Sequence, residues 1–316
     1  MGNAVTARAA YSLNGHEIRV THPERVVFAD PAVTKAELVG YYARVAAVAL
    51  PHLKGRPLML QRVHGALAPT GPGSRDLGPL FYQKEASPWF PDWIDRVTVP
   101  KRGGTVTHVV CDDAATLVYL ANQGMITPHP WLSRADQIDR PDRIVFDLDP
   151  SVEDLDAVRS AARSMGELVR EAGLEPHLMA TGSRGFHVVV PIRRELDFPT
   201  VHAICAGLAD VLARRQPDRL TTEFMKVERG DRVFIDYHRN TYAQTAVPAY
   251  AIRPKVGAPV ATPLTWDELD DARPDGWNVR TVIGRIERGP DPWAAFSRHA
   301  RSIEHARRWL ARQAVR

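Results

Sequence analysis

An apolar run that stops on two acids one residue apart, Arg143-Ile144-Val145-Phe146-Asp147-Leu148-Asp149-Pro150-Ser151, constrains this chain more than any other stretch. Side chains alternate faces along a strand, so Ile144, Phe146 and Leu148 can enter a core while Val145, Asp147 and Asp149 share the opposite face. Two unit charges about 4 Å apart repel by roughly 4 kcal/mol at an effective dielectric of about 20. Such a pair therefore shares a proton, takes a cationic partner or binds a divalent metal. Pro150 is expected to end the strand and Ser151 to open a helix. Ser151 with Asp154 resembles a capping box, and Val152, Leu155, Val158, Ala162, Met165 and Val169 mark an apolar stripe that stops at Gly173. The bland alternative is two solvated acids in a strand-to-helix turn.

A chain of 316 residues, 44% hydrophobic and 25% charged, carries enough apolar material for one large domain or two small ones, and nothing in it indicates disorder. Its net charge of +4 is compatible with a polyanionic partner without requiring one. Cys111 and Cys205 both lie in apolar contexts, which fits buried free thiols in a reducing compartment and leaves no disulfide framework. No apolar run approaches the roughly 18 residues of a membrane span, and no signal peptide is evident, so a cytoplasmic protein without membrane contact is expected. Met1-Gly2 with Thr6 matches the loose myristoylation pattern, one short enough to occur often by chance.

Along the chain, Ile18 to Val20 reads as a strand, and Thr34-Lys35-Ala36-Glu37 is a capping box opening a helix that Pro51 closes. A short strand from Leu58 to Val63 precedes a Gly/Pro-rich stretch, Gly65 to Pro79, expected to be an exposed, mobile loop. Phe81-Tyr82-Gln83-Lys84 follows; adjacent aromatics beside a lysine are core packing or a base-stacking platform next to a phosphate contact. Thr105 to Cys111 reads as a strand, Asp113 to Ala121 as a helix, and Ile126 to Trp131, with two prolines, as a turn. Beyond Gly173 come strands Pro176 to Ala180 and Val188 to Val190, joined by Thr181-Gly182-Ser183-Arg184-Gly185-Phe186-His187. That loop gathers a hydroxyl, a guanidinium and an imidazole beside two glycines, which suits a polyphosphate or a hairpin with a satisfied histidine. A helix from Thr200 to Arg215 leads to an expected hairpin, Thr221 to Val227 with Arg232 to Tyr237, whose second strand carries Asp236. The tail from Trp293 to Arg316 reads as a basic, solvated helix.

Three functions are compatible with these residues. Asp147, Asp149 and Asp236 could hold two divalent ions in a nucleotidyl transferase, provided that the strand of Asp236 neighbours the first. Asp147 could instead be the covalent nucleophile and Asp149 the acid/base of a haloacid-dehalogenase-type phosphatase. A catalytically silent nucleic-acid end-binding module is the third. Hairpins flanked by helices favour an α+β sheet over the doubly wound sheet of the phosphatase.

Several stretches taken in order carry a resemblance: Thr21-His22-Pro23-Glu24-Arg25-Val26, Gly55-Arg56-Pro57, Phe81 to Lys84, His129-Pro130-Trp131, Val145 to Pro150, Gly182 to His187, Asp236-Tyr237 and Gly257 to Leu264. The set resembles the polymerase module of bacterial ligase D, in the archaeo-eukaryotic primase superfamily. The resemblance implies an α+β fold with a primase-like core of two mainly antiparallel sheets flanked by helices and the site in the cleft between them. It implies one catalytic domain over 1–316, with 1–55 holding a 5′-phosphate site, 56–266 the catalytic core and 267–316 a helical extension. It implies DNA repair synthesis at gaps or double-strand breaks, two manganese or magnesium ions, a nucleoside triphosphate and a preference for ribonucleotides.

Carried over by residue, the resemblance makes Asp147, Asp149 and Asp236 the metal ligands and catalytic acids. Ser183, Arg184, His187 and Arg253 would contact the triphosphate, and Arg62, His129 and Thr181 would line the nucleotide pocket. Arg25 and Lys35 would grip a downstream 5′-phosphate, and Phe81, Tyr82 and Lys84 would meet the DNA. No Lys-x-Asp-Gly motif of a ligase occurs in the sequence, so sealing is expected to need a separate ligase, with Ku as a further end-joining partner at the nucleoid.

Overall fold

The computed structural model describes residues 8–313, so the Met1-Gly2 and Thr6 pattern lies outside the described residues. Contacts divide the chain into two compact units. The first comprises residues up to Trp131 with Val247–Thr262 and Trp277–Asp291; the second comprises Leu132–Ala246, Pro263–Gly276 and the chain from Pro292.

The first unit begins with two antiparallel hairpins, β1 (Ala10–Leu13) with β2 (His16–Arg19) and β3 (Val26–Ala29) with β4 (Ala32–Thr34). Helix α1 (Lys35–Leu53) starts on the expected capping box, with the Thr34 hydroxyl accepting from the Glu37 amide and the Glu37 carboxylate accepting from the Thr34 amide. Pro51 sits inside its last turn, so the helix runs two residues past the expected stop. Its buried face, with Leu38, Tyr41, Tyr42 and Val45, packs on α2 (Ala114–Asn122), which Asp113 caps. The sheet beneath uses β5 (Pro57–Arg62), β8 (Phe81–Gln83), β9 (Arg96–Lys101), β10 (Gly104–Val110) and β11 (Met125–Pro130). Its order is β11-β5-β10-β9, with β8 also on β5, and its pairings are antiparallel.

Two sequence expectations fail here. Residues 126–131 do not turn. Residues 126–130 lie in β11, in which Pro128 and Pro130 lie opposite Leu60 and Leu58. A proline has no N–H to donate, and β11 is an edge strand where none is missed. The Gly65 to Pro79 stretch is not a free loop either: β6 (Ala68–Pro69) pairs with β7 (Leu77–Gly78). Leu77 N–H donates to the Pro254 carbonyl and Val256 N–H to that of Arg75, while Lys255 pairs with Asp76.

In the second unit, a small antiparallel ribbon of β12 (Ser133–Arg134) and β13 (Gln137–Pro141) precedes the acid strand β14 (Arg143–Pro150). Helix α3 (Leu155–Glu171) follows, then β15 (His177–Ala180), β16 (Phe186–Pro191), α4 (Phe198–Arg215), β17 (Leu220–Thr221), α5 (Lys226–Arg229), β18 (Val233–Asp236) and β19 (Thr262–Leu264). The six strands run in the order β17-β18-β14-β16-β15-β19. Both neighbours of β14 are antiparallel, which removes the doubly wound parallel sheet that the phosphatase reading needs.

The Asp154 carboxylate, not Ser151, caps α3, accepting from the Ala157 amide at 2.8 Å, because the Ser151 hydroxyl donates to the Arg232 carbonyl at 2.6 Å. The buried stripe of α3 therefore starts at Val158, and Val152 is exposed. The expected 221–237 hairpin is also absent: β17 pairs with β18 in parallel, and α5 lies between them. The Arg229 guanidinium donates to the carbonyls of Glu223 and Phe224, occupying acceptors that a hairpin ladder would use. Residues 277–291 return to the first unit with α6 (Thr281–Arg288).

The tail is not one solvated helix. Extended backbone at Ala300 and a bridge between Ile192 and Arg301 separate a short 3-10 turn, Phe296–His299, from α7 (Glu304–Gln313), which buries Ala306 and Trp309 and packs on α4. No helix among the described residues is long and apolar enough to cross a membrane.

Candidate active site

Register assembles the acids. On β14, Asp147 lies directly opposite His187 of β16 on one side and Asp236 of β18 on the other, so the three side chains form a row across three strands. Residues paired across an antiparallel ladder share a face, and Asp149, two positions on, shares it too. The opposite face is core: Leu148 pairs with Phe186 and Ile235, all fully buried. The condition set by the sequence for Asp236 as a third acid is thus met.

Each carboxylate sits beside a nitrogen-bearing side chain. Asp147 has His187 Nε2 at 3.3 Å, Asp149 has the Arg184 guanidinium at 3.0 Å and Asp236 has Arg239 Nε at 3.6 Å. His187 is almost fully covered and its Nδ1 makes no hydrogen bond, whereas Arg184 and Arg239 are about half exposed. Burial pushes the Asp149 carboxyl above the usual carboxylate range; Arg184 opposes the rise and Asp147 adds to it. Three carboxylates offer hard oxygen donors, the chemistry that manganese and magnesium take. Among the described residues no three His, Cys, Asp or Glu side chains converge on one metal position.

The 181–187 loop closes the antiparallel hairpin of β15 and β16, as one of its two sequence readings expects. The Thr181 amide and hydroxyl both donate to the Gly185 carbonyl, the latter at 2.7 Å, and the Gly182 amide donates to Pro274. Two loop amides are thereby used inside the fold. Gly185 is required because a Cβ there would lie 1.9 Å from the Leu148 carbonyl oxygen, so the glycine lets the loop close onto β14 beside the acids. That closeness brings Arg184 to Asp149, with Ser183 half-buried next to it.

The remaining candidates lie in the first unit. Arg62, at the end of β5, donates to the Gln123 carbonyl and pairs with the Gln83 side chain, and its guanidinium is 5.2 Å from the centre of the Phe81 ring. His129 is linked through Gln61, at 3.4 Å, to the Tyr82 hydroxyl, to which Gln61 donates at 2.9 Å. Tyr82 is 58% exposed while Phe81 is half-buried, and Lys84 is exposed beside them. Arg253 lies on the strap that bridges Ile252 to Val260. Arg25 and Lys35 are brought together: the Lys35 amide donates to the Arg25 carbonyl, the Lys35 ammonium donates to Thr21 Oγ1 at 2.5 Å, and Arg25 donates to the His64 carbonyl at 2.9 Å.

Gln61 and Asn240 escaped the sequence reading. Gln61 was visible as an uncharged polar residue inside an apolar strand; Asn240 had no signal, because its partner, the backbone of Val145, is 95 residues away.

Asp147 and Asp236 facing each other across β14 and β18, with Asp149 on the same face of a mainly antiparallel sheet, are compatible with the nucleotidyltransferases of the primase-polymerase type. A family model described as the LigD primase-polymerase domain matches residues 34–293, and the chain belongs to that family. A multifunctional non-homologous end joining protein LigD of Pseudomonas aeruginosa is 32% identical over 302 residues, covering 93% of this chain and 35% of the relative. A bifunctional non-homologous end joining protein LigD of Bacillus subtilis is 26% identical, covering 90% and 44% respectively. The chain thus spans less than half the length of these relatives. Among solved structures, the polymerase domain of Mycobacterium tuberculosis ligase D in complex with DNA superposes with a TM-score of 0.80 at 28% identity, covering 90% of this chain and 99% of that one.

Proposed function

We propose that this chain is a template-directed nucleotidyl transferase that extends 3′ ends at gaps or double-strand breaks in DNA, using ribonucleotides preferentially. The observation that carries the reading is the row His187, Asp147, Asp236 with Asp149 on the same face. Asp147, Asp149 and Asp236 would hold two manganese or magnesium ions, which when bound supply charge for a 3′-hydroxyl attack on a nucleoside triphosphate.

The chain's own residues bind and orient. Arg184, half exposed and resting on Asp149, is free to turn its guanidinium to a phosphate oxygen, where charge-assisted hydrogen bonds favour it. Ser183 beside it offers a hydroxyl, Arg253 a second guanidinium and His187 a donor held against Asp147. Thr181 and His129 would meet the sugar, and Arg62 would complete the nucleotide pocket. Arg25 and Lys35 would take the 5′-phosphate of the downstream strand, and Phe81, Tyr82 and Lys84 the template. The end-joining names of the relatives support a role in the joining of DNA ends, and this reading adds Ku and a separate ligase at the nucleoid as its partners.

A single-turnover gap-filling assay with labelled primer tests the reading. The expected result is template-matched addition, better with manganese than magnesium. Ribonucleotides should win by about ten- to hundredfold, since a hydroxyl-binding pocket facing a deoxy sugar loses a hydrogen bond worth about 1 to 3 kcal/mol. Equal use of both sugars contradicts the sugar preference. Phosphate release from a small phosphomonoester without primer extension contradicts the polymerase.

A further inference from the structure

The Phe81 ring does not end the aromatic platform. The imidazole of His64 lies against it with ring centres 4.3 Å apart and planes within 13° of parallel. On that side an approaching base meets His64, not Phe81. The stack is held from both ends. Arg62, opposite Phe81 in the β5 and β8 register, places its guanidinium 5.2 Å from the phenyl centre and is itself fixed by the Gln123 carbonyl. On the His64 side, its carbonyl accepts from the Arg25 guanidinium at 2.9 Å. His64 is exposed and sits next to both the aromatic pair and the two cations, Arg25 and Lys35.

We propose that His64 is a base-binding residue: its outer face stacks on an unpaired nucleobase at the edge of the gap, beside the downstream 5′-phosphate. The proposal rests on the reading of Arg25 and Lys35 as the phosphate grip and adds the base to it. A flat, exposed ring already locked parallel to a second ring loses little freedom on stacking a third, and stacking is indifferent to which base arrives. The imidazole thus gives the 5′-phosphate site a second point of contact, so the enzyme reads a gap end by its charge and by its neighbouring base together. The tie between Arg25 and the His64 carbonyl keeps the two points at a fixed spacing.

The test uses the full chain and a gapped duplex with a 5′-phosphate and 2-aminopurine at the unpaired template position next to it. Stacking quenches the fluorescence of the wild-type complex. His64→Ala should bind between about fivefold and a hundredfold more weakly, the range that alanine substitution of base-stacking rings covers, and should lose the quench. His64→Leu, which covers Phe81 without a flat ring, should behave like the alanine variant, and His64→Tyr should bind within about twofold of wild type with the quench retained. Thermal melting of each variant controls for folding. Wild-type affinity and quenching in His64→Ala overturn the proposal while leaving gap filling standing. Failure of the wild-type chain to bind any gapped duplex overturns it together with the polymerase reading.

Discussion

One carboxamide finishes the ladder beside the acids. β18 stops at Asp236, and in its place along β14 the Asn240 side chain accepts from the Val145 amide and donates to the Val145 carbonyl, both at 2.8 Å. A further bond to the Tyr237 carbonyl fixes the turn that carries Asp236. The carboxamide presents a donor and an acceptor on one planar group, as a strand neighbour would. Asn240→Ala strands a buried N–H and C=O and should cost about 2 to 4 kcal/mol in urea unfolding. Its residual activity should show a lower kcat with little change in KM for the nucleotide, because the acids shift relative to one another; unaltered stability and kcat refute the role.

Lys35 makes the second residue-scale test. Burial, and then the nearby Arg25, push its ammonium down to about 8. The charge is present below that pH, so a 5′-phosphate gap should out-compete a 5′-hydroxyl gap fully at pH 7. As pH rises through about 8, binding must bring a proton with it, and the advantage should shrink by up to about tenfold per pH unit. For folding the sign is the reverse of a stabilising pair: the unfolded lysine keeps its proton to about 10.5, so stability rises between about pH 8 and 10.5. Titrating the phosphate-to-hydroxyl affinity ratio from pH 7 to 9.5 checks this, and a flat ratio contradicts it. Asp147 and Asp149 were legible as a spaced pair of acids, whereas Arg25 and Lys35 were named through the family resemblance. His64 and Asn240 were not, because stacking partners and backbone contacts arise only when distant segments meet.

At the scale of elements, local signals served well where chemistry is local. The Thr34 and Glu37 capping box sits where the sequence places it, since it needs only a few neighbouring residues, and the helix read from Asp113 starts one residue later because Asp113 is its cap. Elements whose conformation is set across the sheet were misread. The prolines of β11 read as a turn until β5 supplies a partner, and β17 with β18 read as a hairpin until Arg229 takes the carbonyls of Glu223 and Phe224.

The C-terminal segment was misread for the same reason, and it offers a test. Trp293 Nε1 donates to the Leu178 carbonyl, Trp293 stacks on Phe296, and His177 of β15 lies against both rings with its Nε2 3.2 Å from His299 Nδ1. Burial first, and His299 second, hold His177 down at about 4. A histidine with a lowered folded value contributes its full stability above about pH 6.5 and loses it as pH falls toward 4, by up to roughly 3 kcal/mol. Thermal melts between pH 7 and 4 should show this loss in the wild-type chain and much less of it in His177→Gln. Identical pH profiles for the two contradict the account.

For the whole molecule, the α+β class was legible from strands that alternate with helices without the regular parallel repeat, and the ordered motifs pointed to the family before any geometry was known. The division into two units was not legible, because each is assembled from three separated stretches of chain, and periodicity carries no record of which stretches return. The central claim is that Asp147, Asp149 and Asp236 act as one group, which register supports by setting Asp236 directly opposite Asp147. Single-turnover extension on a 5′-phosphorylated gap, measured beside DNA affinity for the wild-type chain and Asp236→Ala, tests that claim most directly. The account predicts a loss of extension of at least about a thousandfold with affinity for the gap retained, since one acid of a cooperating set is gone while Arg25 and Lys35 are untouched. Extension by Asp236→Ala within a few fold of wild type would contradict it.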